Sequence, residues 1–150
     1  MSMSNLTATI IVPVLNGYRL LQNLCESIAA FTPAGICEII LVDNASTEPQ
    51  MGLFYGSIRS TTTRVIRNTE NVGFGRANNQ ALQHSRGEFL MLLNNDTTVT
   101  PGWLEPLRER FRTTPSCGAV QSKIVLVSDG PLDTWKTQTC GCRFSRSTHR

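Results

Sequence analysis

The chain reads as an α/β domain on a mostly parallel sheet with helices on both faces. Five apolar runs begin at Thr9, Cys37, Arg64, Glu88 and Gly118, at intervals close to the roughly 30 residues of a βαβ unit. Helical periodicities fill the gaps between them. The first, second and fourth runs are almost continuously apolar, as strands covered on both faces are. Alternating strands and helices imply a parallel sheet with right-handed crossovers.

The elements follow in order. Thr9 to Val14 (TIIVPV) is the first strand. Leu21, Leu24, Cys25 and Ile28 then keep i, i+3, i+4, i+7 spacing, with Asn16 as candidate cap. Cys37 to Val42 (CEIILV) is the second strand, with Glu38 an acid inside an apolar run. Met51, Phe54, Tyr55 and Ile58 mark the second helix, and Arg64 to Arg67 (RVIR) the third strand. Phe74, Ala77, Ala81 and Leu82 predict a helix after Gly73 and Gly75. Glu88 to Leu93 (EFLMLL) is the fourth strand. Trp103 or Leu104, Leu107 and Phe111 follow Pro101-Gly102 as a fourth helix, and Gly118 to Val127 is the fifth strand. Beyond Val127 a Ser128-Asp129-Gly130-Pro131 turn signal appears and the apolar period fades, so the chain reads as interrupted on that side.

Composition narrows the function. The 150 residues are 40% hydrophobic and 17% charged, enough to bury a core. No apolar run approaches the roughly 18 to 20 residues that span a bilayer, and Met1 to Ala8 has no signal-peptide pattern. The net charge is +3, and Lys136, Arg143, Arg146 and Arg150 stand together without an acid. With no RNA-binding or helix-turn-helix signature, that basic end reads as solvated, and no nucleic-acid partner is expected. The five cysteines, Cys25, Cys37, Cys117, Cys140 and Cys142, are odd in number. Cys25 and Cys37 fall at core positions. Cys140, Cys142 and His149 are one ligand short of a structural zinc site. Free thiols in a reducing cytoplasm are the simplest reading.

Ligands of open α/β sheets bind at the carboxyl ends of strands, where strand order reverses. Those ends carry Pro13-Val14-Leu15-Asn16, Asp43-Asn44-Ala45-Ser46-Thr47, Asn68 to Gly75, and Asn94-Asn95-Asp96. Small polar groups and carboxylates gather on one rim of an otherwise apolar sheet. Each has a plain alternative: Asp43 as an Asx-turn or cap, Ser46 and Thr47 as caps, Gly73 and Gly75 as turn glycines, Asn94-Asn95-Asp96 as one more polar turn. A dinucleotide fingerprint is missing after the first strand, no P-loop lysine is present, and no G-x-S-x-G elbow occurs.

Four segments, Ile10 to Asn16 (IIVPVLN), Ile40 to Thr47 (ILVDNAST), Asn71 to Asn78 (NVGFGRAN) and Leu92 to Asp96 (LLNND), stand in this order and spacing. Together they resemble the N-terminal half of family 2 glycosyltransferases of the GT-A fold, in particular the rhamnosyltransferase-like branch. The resemblance implies a GT-A, Rossmann-like sheet truncated on its C-terminal side. Residues 7–127 would be the nucleotide-sugar-binding region and 128–150 an incomplete acceptor-side segment with a basic tail. It implies that Pro13, Val14 and Asn16 line the nucleotide pocket, that Asp43 accepts the N3–H of a pyrimidine, and that Asn44 and Ser46 hold its loop. Asn71, Gly73, Arg76 and Asn78 would lie beside the nucleotide, Arg76 either pairing with the diphosphate or sitting on an exposed helix face. Asn94, Asn95 and Asp96 occupy the place of the D-x-D motif, with Asp96 as ligand of Mg²⁺ or Mn²⁺ and Asn94 a neutral departure.

The reaction so implied is inverting transfer from a UDP- or dTDP-sugar to the hydroxyl of a glycan or lipid-linked acceptor, in polysaccharide biosynthesis. The chain would act in the cytoplasm or at the inner face of the membrane. No base motif is seen; Asp129 and Asp133 do not fit one. The alternatives are a non-catalytic nucleotide-sugar-binding module or truncated remnant and, from another class, a small interaction domain whose basic tail binds nucleic acid.

Overall fold

The computed structural model describes residues 6–122, 124–126 and 136–138. The chain divides into two compact units, Met1–Trp103 and Leu104–Arg150. In the first, β1 (Ala8–Val14), α1 (Tyr18–Phe31), β2 (Cys37–Asp43), α2 (Pro49–Ser57), β3 (Thr63–Arg67), α3 (Phe74–Leu82) and β4 (Phe89–Leu92) alternate as expected. All three strand pairings are parallel, in the order β3-β2-β1-β4. The chain builds outward from β1 on one side and then returns to its other side with β4. That reversal puts a topological switch point between β1 and β4.

β1 and β2 are the centre of the sheet, and Ile10, Ile11, Val12, Ile40, Leu41 and Val42 are buried almost completely. Side chains alternate between faces along a strand. On one face Ile11, Ile40 and Val42 pack with Ala77 and Ala81 of α3, flanked by Ile66 and Val72. The two alanines let α3 lie close to the sheet. α1 buries Leu21, Leu24, Ser27 and Ile28. Burial pushes the Cys25 thiol on that helix up to about 11, and the neighbouring Glu26 charge adds to the effect.

Several expectations need correction. The fourth strand is not covered on both faces: Leu90 and Leu92 are 46% and 56% exposed. Among the described residues β4 is an edge strand with β1 as its one neighbour, and half of its apolar residues stay in the open. Among its described residues, the run from Gly118 to Val127 does not form a fifth parallel strand. Residues 118–122 have no regular structure, and only Ile124–Leu126 (β5) is extended, pairing antiparallel with Lys136–Gln138 (β6) in a separate two-stranded sheet. The fourth helix, α4 (Glu105–Thr113), begins just past Trp103 and Leu104. In α3 the apolar ends Phe74 and Leu82 are exposed, and Asn78 takes a buried place beside Ala77 and Ala81. Val127, Asp129, Asp133, Cys140, Cys142, His149 and most of the basic tail lie outside the described residues. No helix among the described residues is long and apolar enough to cross a membrane.

The acid inside β2 has a clear role. Thr9 and Glu38 are register partners on adjacent strands. The Thr9 hydroxyl donates to Glu38 Oε1 at 2.7 Å, and the Arg86 amide donates to the same oxygen at 2.6 Å. Arg86 Nε and Nη2 reach Glu38 Oε2 at 2.8 and 2.7 Å. Gly87 N donates to the Thr9 hydroxyl at 2.9 Å. A Cβ on Gly87 would fall 2.3 Å from the backbone of Ala8 and Thr9, which is why a glycine brings the chain into β4.

Burial alone would raise the Glu38 pKa, but the bonds from Thr9 and Arg86 and the guanidinium charge hold it below its ordinary 4.5. A carboxyl with a depressed folded-state pKa stabilises the protein above its unfolded value and loses that contribution as pH falls through the lower, folded value. Urea midpoints measured from pH 7 down to pH 3 should therefore fall below about pH 4.5. Glu38→Gln should cost roughly 2 to 3 kcal/mol at pH 7 and flatten the acid limb. An unchanged limb in that variant would clear Glu38 of the effect.

Candidate functional site

The carboxyl ends of β1, β2 and β4 and the start of α3 surround a cleft of about 380 Å³. Pro13, Val14 and Leu15 come from the end of β1, and Asn44 from the residue after β2. Asn71, Gly73 and Phe74 come from the entry to α3, and Asn94, Asn95 and Asp96 from the turn after β4. Asp96 is the single titratable side chain in that lining. The location is the switch point between β1 and β4, where this topology leaves a crevice.

Local sequence explains each wall. Gly73 sits at φ 83°, a region open to glycine at no steric cost. Its amide donates to Asn71 Oδ1 at 2.9 Å, an Asx-type bond that sets the entry to α3. The first turn of α3 has no side-chain cap and no acid, so its free amides leave a partial positive charge at that end of the helix, where Gly73 and Phe74 line the cleft. Phe74 is 57% exposed there, a flat apolar surface on the cleft wall beside the amides of Asn71 and Asn94. The turn after β4 is closed by Thr97, whose amide donates to the Asn94 carbonyl at 3.2 Å and whose hydroxyl donates to it at 2.6 Å. That leaves Asp96 exposed at the tip.

Eight of the residues expected in the site line the cleft: Pro13, Val14, Asn44, Asn71, Gly73, Asn94, Asn95 and Asp96. Five do not. Asp43, although it ends β2 on the same rim, is wholly buried. Its Oδ1 accepts the Ser46 amide at 2.9 Å and its Oδ2 accepts Arg67 Nε at 3.1 Å. The Arg67 guanidinium in turn lies 5.6 Å from the ring centre of Tyr55. Burial, with Asp43's charge second, pushes the Tyr55 phenol far above its ordinary value, so Tyr55 stays neutral.

Asn16 does not cap α1. Its Oδ1 instead accepts the Thr47 and Glu48 amides at 2.8 and 3.2 Å, and its own amide donates to Ser46 Oγ at 2.8 Å. Asn16 and Ser46 thus tie two loops together behind the cleft. Arg76 is exposed on α3 away from the lining. Asn78 donates to the Phe74 carbonyl at 2.9 Å from a buried position.

Leu15 and Phe74 were missed as wall residues. Their signal was available, since Leu15 follows the end of the first strand and Phe74 opens the helix after the third strand, both on the segments that carry the rim. Asn68 and Gln80 were missed as supports. Asn68 Nδ2 bridges Asn44 Oδ1 and Gln80 Oε1 at 2.9 Å each, and Gln80 Nε2 returns a 3.0 Å bond to Asn68 Oδ1. This amide ladder seats Asn44 from behind.

The donor set suits a hard divalent cation. Asp96 offers a carboxylate and Asn94 and Asn95 are amides on the same turn. Mg²⁺ characteristically takes one or two carboxylates and fills its remaining positions with phosphate oxygens and water. Among the described residues no three His, Cys, Asp or Glu side chains gather into an all-protein metal site, so any cation here would need ligands from a bound phosphate.

Comparison with known proteins gives the chain a fold and a family. The chain is 34% identical over 120 residues to the O-antigen biosynthesis protein RfbC of Myxococcus xanthus, covering 78% of this chain but only 9% of RfbC. Among solved structures it superposes on S. aureus TarS 1-349 in complex with UDP with a TM-score of 0.63, at 20% identity, over 79% of this chain and 39% of that one. That likeness shows the fold. It also superposes on the mannosyltransferase PcManGT from Pyrobaculum calidifontis, in complex with GDP-Man and Mn²⁺. There the TM-score is 0.53 at 28% identity, over 59% of this chain and 27% of that one. The chain therefore spans a small part of the length of its relatives. Residues 9–149 match the family described as Glycosyl transferase family 2, and with its parallel GT-A-type sheet and rim cleft the chain belongs to that family.

Proposed function

We propose that this chain is the donor-binding part of a glycosyltransferase, holding a nucleoside diphosphate sugar and a divalent cation in the cleft between β1 and β4. The observation that carries the reading is the convergence of three strand ends and the α3 entry on that one cleft, with Asp96 as its single acid. Asp96 would hold Mg²⁺ or Mn²⁺, which when bound supplies positive charge to the diphosphate as it leaves. The uncapped start of α3 adds the partial charge of its free amides. Phe74 offers a face against which a base can stack. Asn44 stands at the cleft in the place first expected of Asp43, presenting an amide held by Asn68.

UDP or dTDP is the donor nucleotide we favour. TarS was solved with UDP and PcManGT with GDP-Man, so guanine is the comparison that matters. Inverting transfer to an acceptor hydroxyl, as in cell-surface polysaccharide synthesis, needs a general base. Among the cleft-lining residues Asp96 is the one acid, and the metal would engage it. Residues 7–127 would thus bind the donor and leave proton removal to groups elsewhere.

Isothermal titration of the 150-residue chain with UDP, dTDP and GDP, each with Mn²⁺ and again with EDTA, tests the reading. The expected result is saturable binding of a pyrimidine diphosphate that EDTA removes. Binding of GDP alone would overturn the base assignment. No heat with any of the three would overturn the function.

A further inference from the structure

We infer that Glu48, which lies outside the cleft, is a positioning residue for it: it clasps the turn between β1 and α1 and, through Asn16, fixes the side chain of Asn95 on the cleft wall. The inference rests on the nucleotide-binding reading only for what the cleft holds.

The turn needs holding. Asn16 and Gly17 are successive left-handed residues, at φ 60° and 79°. Asparagine tolerates that region better than most residues but still prefers others. Such a conformation persists where its surroundings over-determine it. Glu48 supplies the restraint. Its Oε1 accepts the Gly17 amide at 2.9 Å and its Oε2 accepts the Tyr18 amide at 2.8 Å. These are amides at the start of α1, which no carbonyl of the helix can satisfy.

α1 has no acid in its own first turn and no side-chain cap at Gly17. The negative charge that a helix start favours is delivered from the next loop. The Gly17 and Tyr18 amides hold the Glu48 carboxyl below its ordinary range, as two bonds to the charged form should. The bonds from the Thr47 and Glu48 amides to Asn16 Oδ1, and from the Asn16 amide to Ser46 Oγ, close the clasp from the other side.

The consequence lies across the switch point. With the turn fixed, the Asn16 carbonyl accepts Asn95 Nδ2 at 2.9 Å. A Cβ on Gly17 would stand 3.1 Å from that same nitrogen, so Asn95 is seated against the turn with almost no slack. Asn95 adjoins Asp96, and both face the cleft. Glu48 thereby couples the loops after β2, β1 and β4 without touching the cleft itself.

The test uses the whole ¹⁵N-labelled chain as wild type, Glu48→Gln and Glu48→Ala. Glutamine keeps the length and shape but turns one acceptor into a donor, which faces an amide it cannot satisfy. Two readouts are followed: the Asn95 side-chain NH₂ resonances, and affinity for UDP in the presence of Mn²⁺. The expected result for Glu48→Gln is movement of the Gly17, Tyr18 and Asn95 signals toward free-amide positions, with UDP affinity down roughly tenfold.

A simple helix cap would shift Gly17 and Tyr18 only. Asn95 signals that stay in place, with affinity within about twofold, overturn the inference. If Glu48→Ala fails to fold, the isosteric glutamine still decides. If the wild type takes up no UDP, the nucleotide reading alone falls, and the Asn95 resonances still judge the clasp.

Discussion

Asp96→Ala should weaken metal-dependent nucleotide binding about 100-fold and leave the fold intact. Asp96 sits exposed at the tip of the turn after β4. That turn is closed by bonds from Thr97 to the Asn94 carbonyl and uses no atom of the Asp96 side chain. An exposed substitution of this kind changes stability by no more than about 0.5 kcal/mol. The effect on binding is much larger, because among the described residues Asp96 is the one acid lining the cleft and no second carboxylate stands there to replace it. Affinity for UDP with Mn²⁺ should drop about 100-fold, close to 2.8 kcal/mol.

Asp96→Asn should lie between wild type and alanine, since it keeps one neutral oxygen ligand. Asn94→Asp should work in the opposite direction. It adds a charge on the same turn and should tighten Mn²⁺ in the presence of UDP, the neutral Asn94 being what limits the site. Titration calorimetry with matched thermal melts separates binding from folding. Full affinity in Asp96→Ala would remove the metal from the account.

The parallel sheet was legible because both of its signals are local. βα spacing and apolar continuity fixed the first four strands to within a residue or two, and strand-end loops located the rim. The fifth run misled because Ile124, Val125 and Leu126 are extended and apolar, which periodicity detects. Whether such a run joins the main sheet depends on partners elsewhere in the chain, and here its partner is β6.

The site was legible in outline and blurred in detail for a similar reason. Asp43 and Asn44 are adjacent polar residues at a strand end, and adjacent residues of a strand point to opposite sides. The family resemblance made Asp43 the ligand contact, while its residue type alone left a cap or Asx-turn equally open. The Val14–Asp43 register instead buries Asp43 against Ser46 and Arg67 and leaves Asn44 on the cleft. Glu48 was invisible for a plainer reason. Its partners Gly17 and Tyr18 lie about thirty residues away, and an acid before Pro49 reads as an ordinary helix start.

Asp43→Asn is expected to cost stability and leave nucleotide affinity almost untouched, the reverse of Asp96→Ala. The buried carboxylate serves two donors, the Ser46 amide and Arg67 Nε, one on each oxygen. An asparagine can satisfy one of them; its NH₂ then confronts the other. Removing one partner of a buried ion pair costs roughly 3 to 5 kcal/mol. Arg67, however, is 56% exposed, and a freed guanidinium at the surface regains water, so about 2 to 3 kcal/mol is the expected loss.

For a unit of this size that lowers the midpoint of thermal unfolding by about 10 to 15 °C. Arg67→Ala alone should cost less, and the double variant should cost less than the two added together, since both remove the same contact. UDP affinity is then measured well below the lowered midpoint, where the variant is folded. With Asp43 at zero exposure, affinity should stay within about threefold, less than 0.7 kcal/mol. A loss of tens of fold in folded protein would mean that the loop opens on binding and gives Asp43 to the base after all.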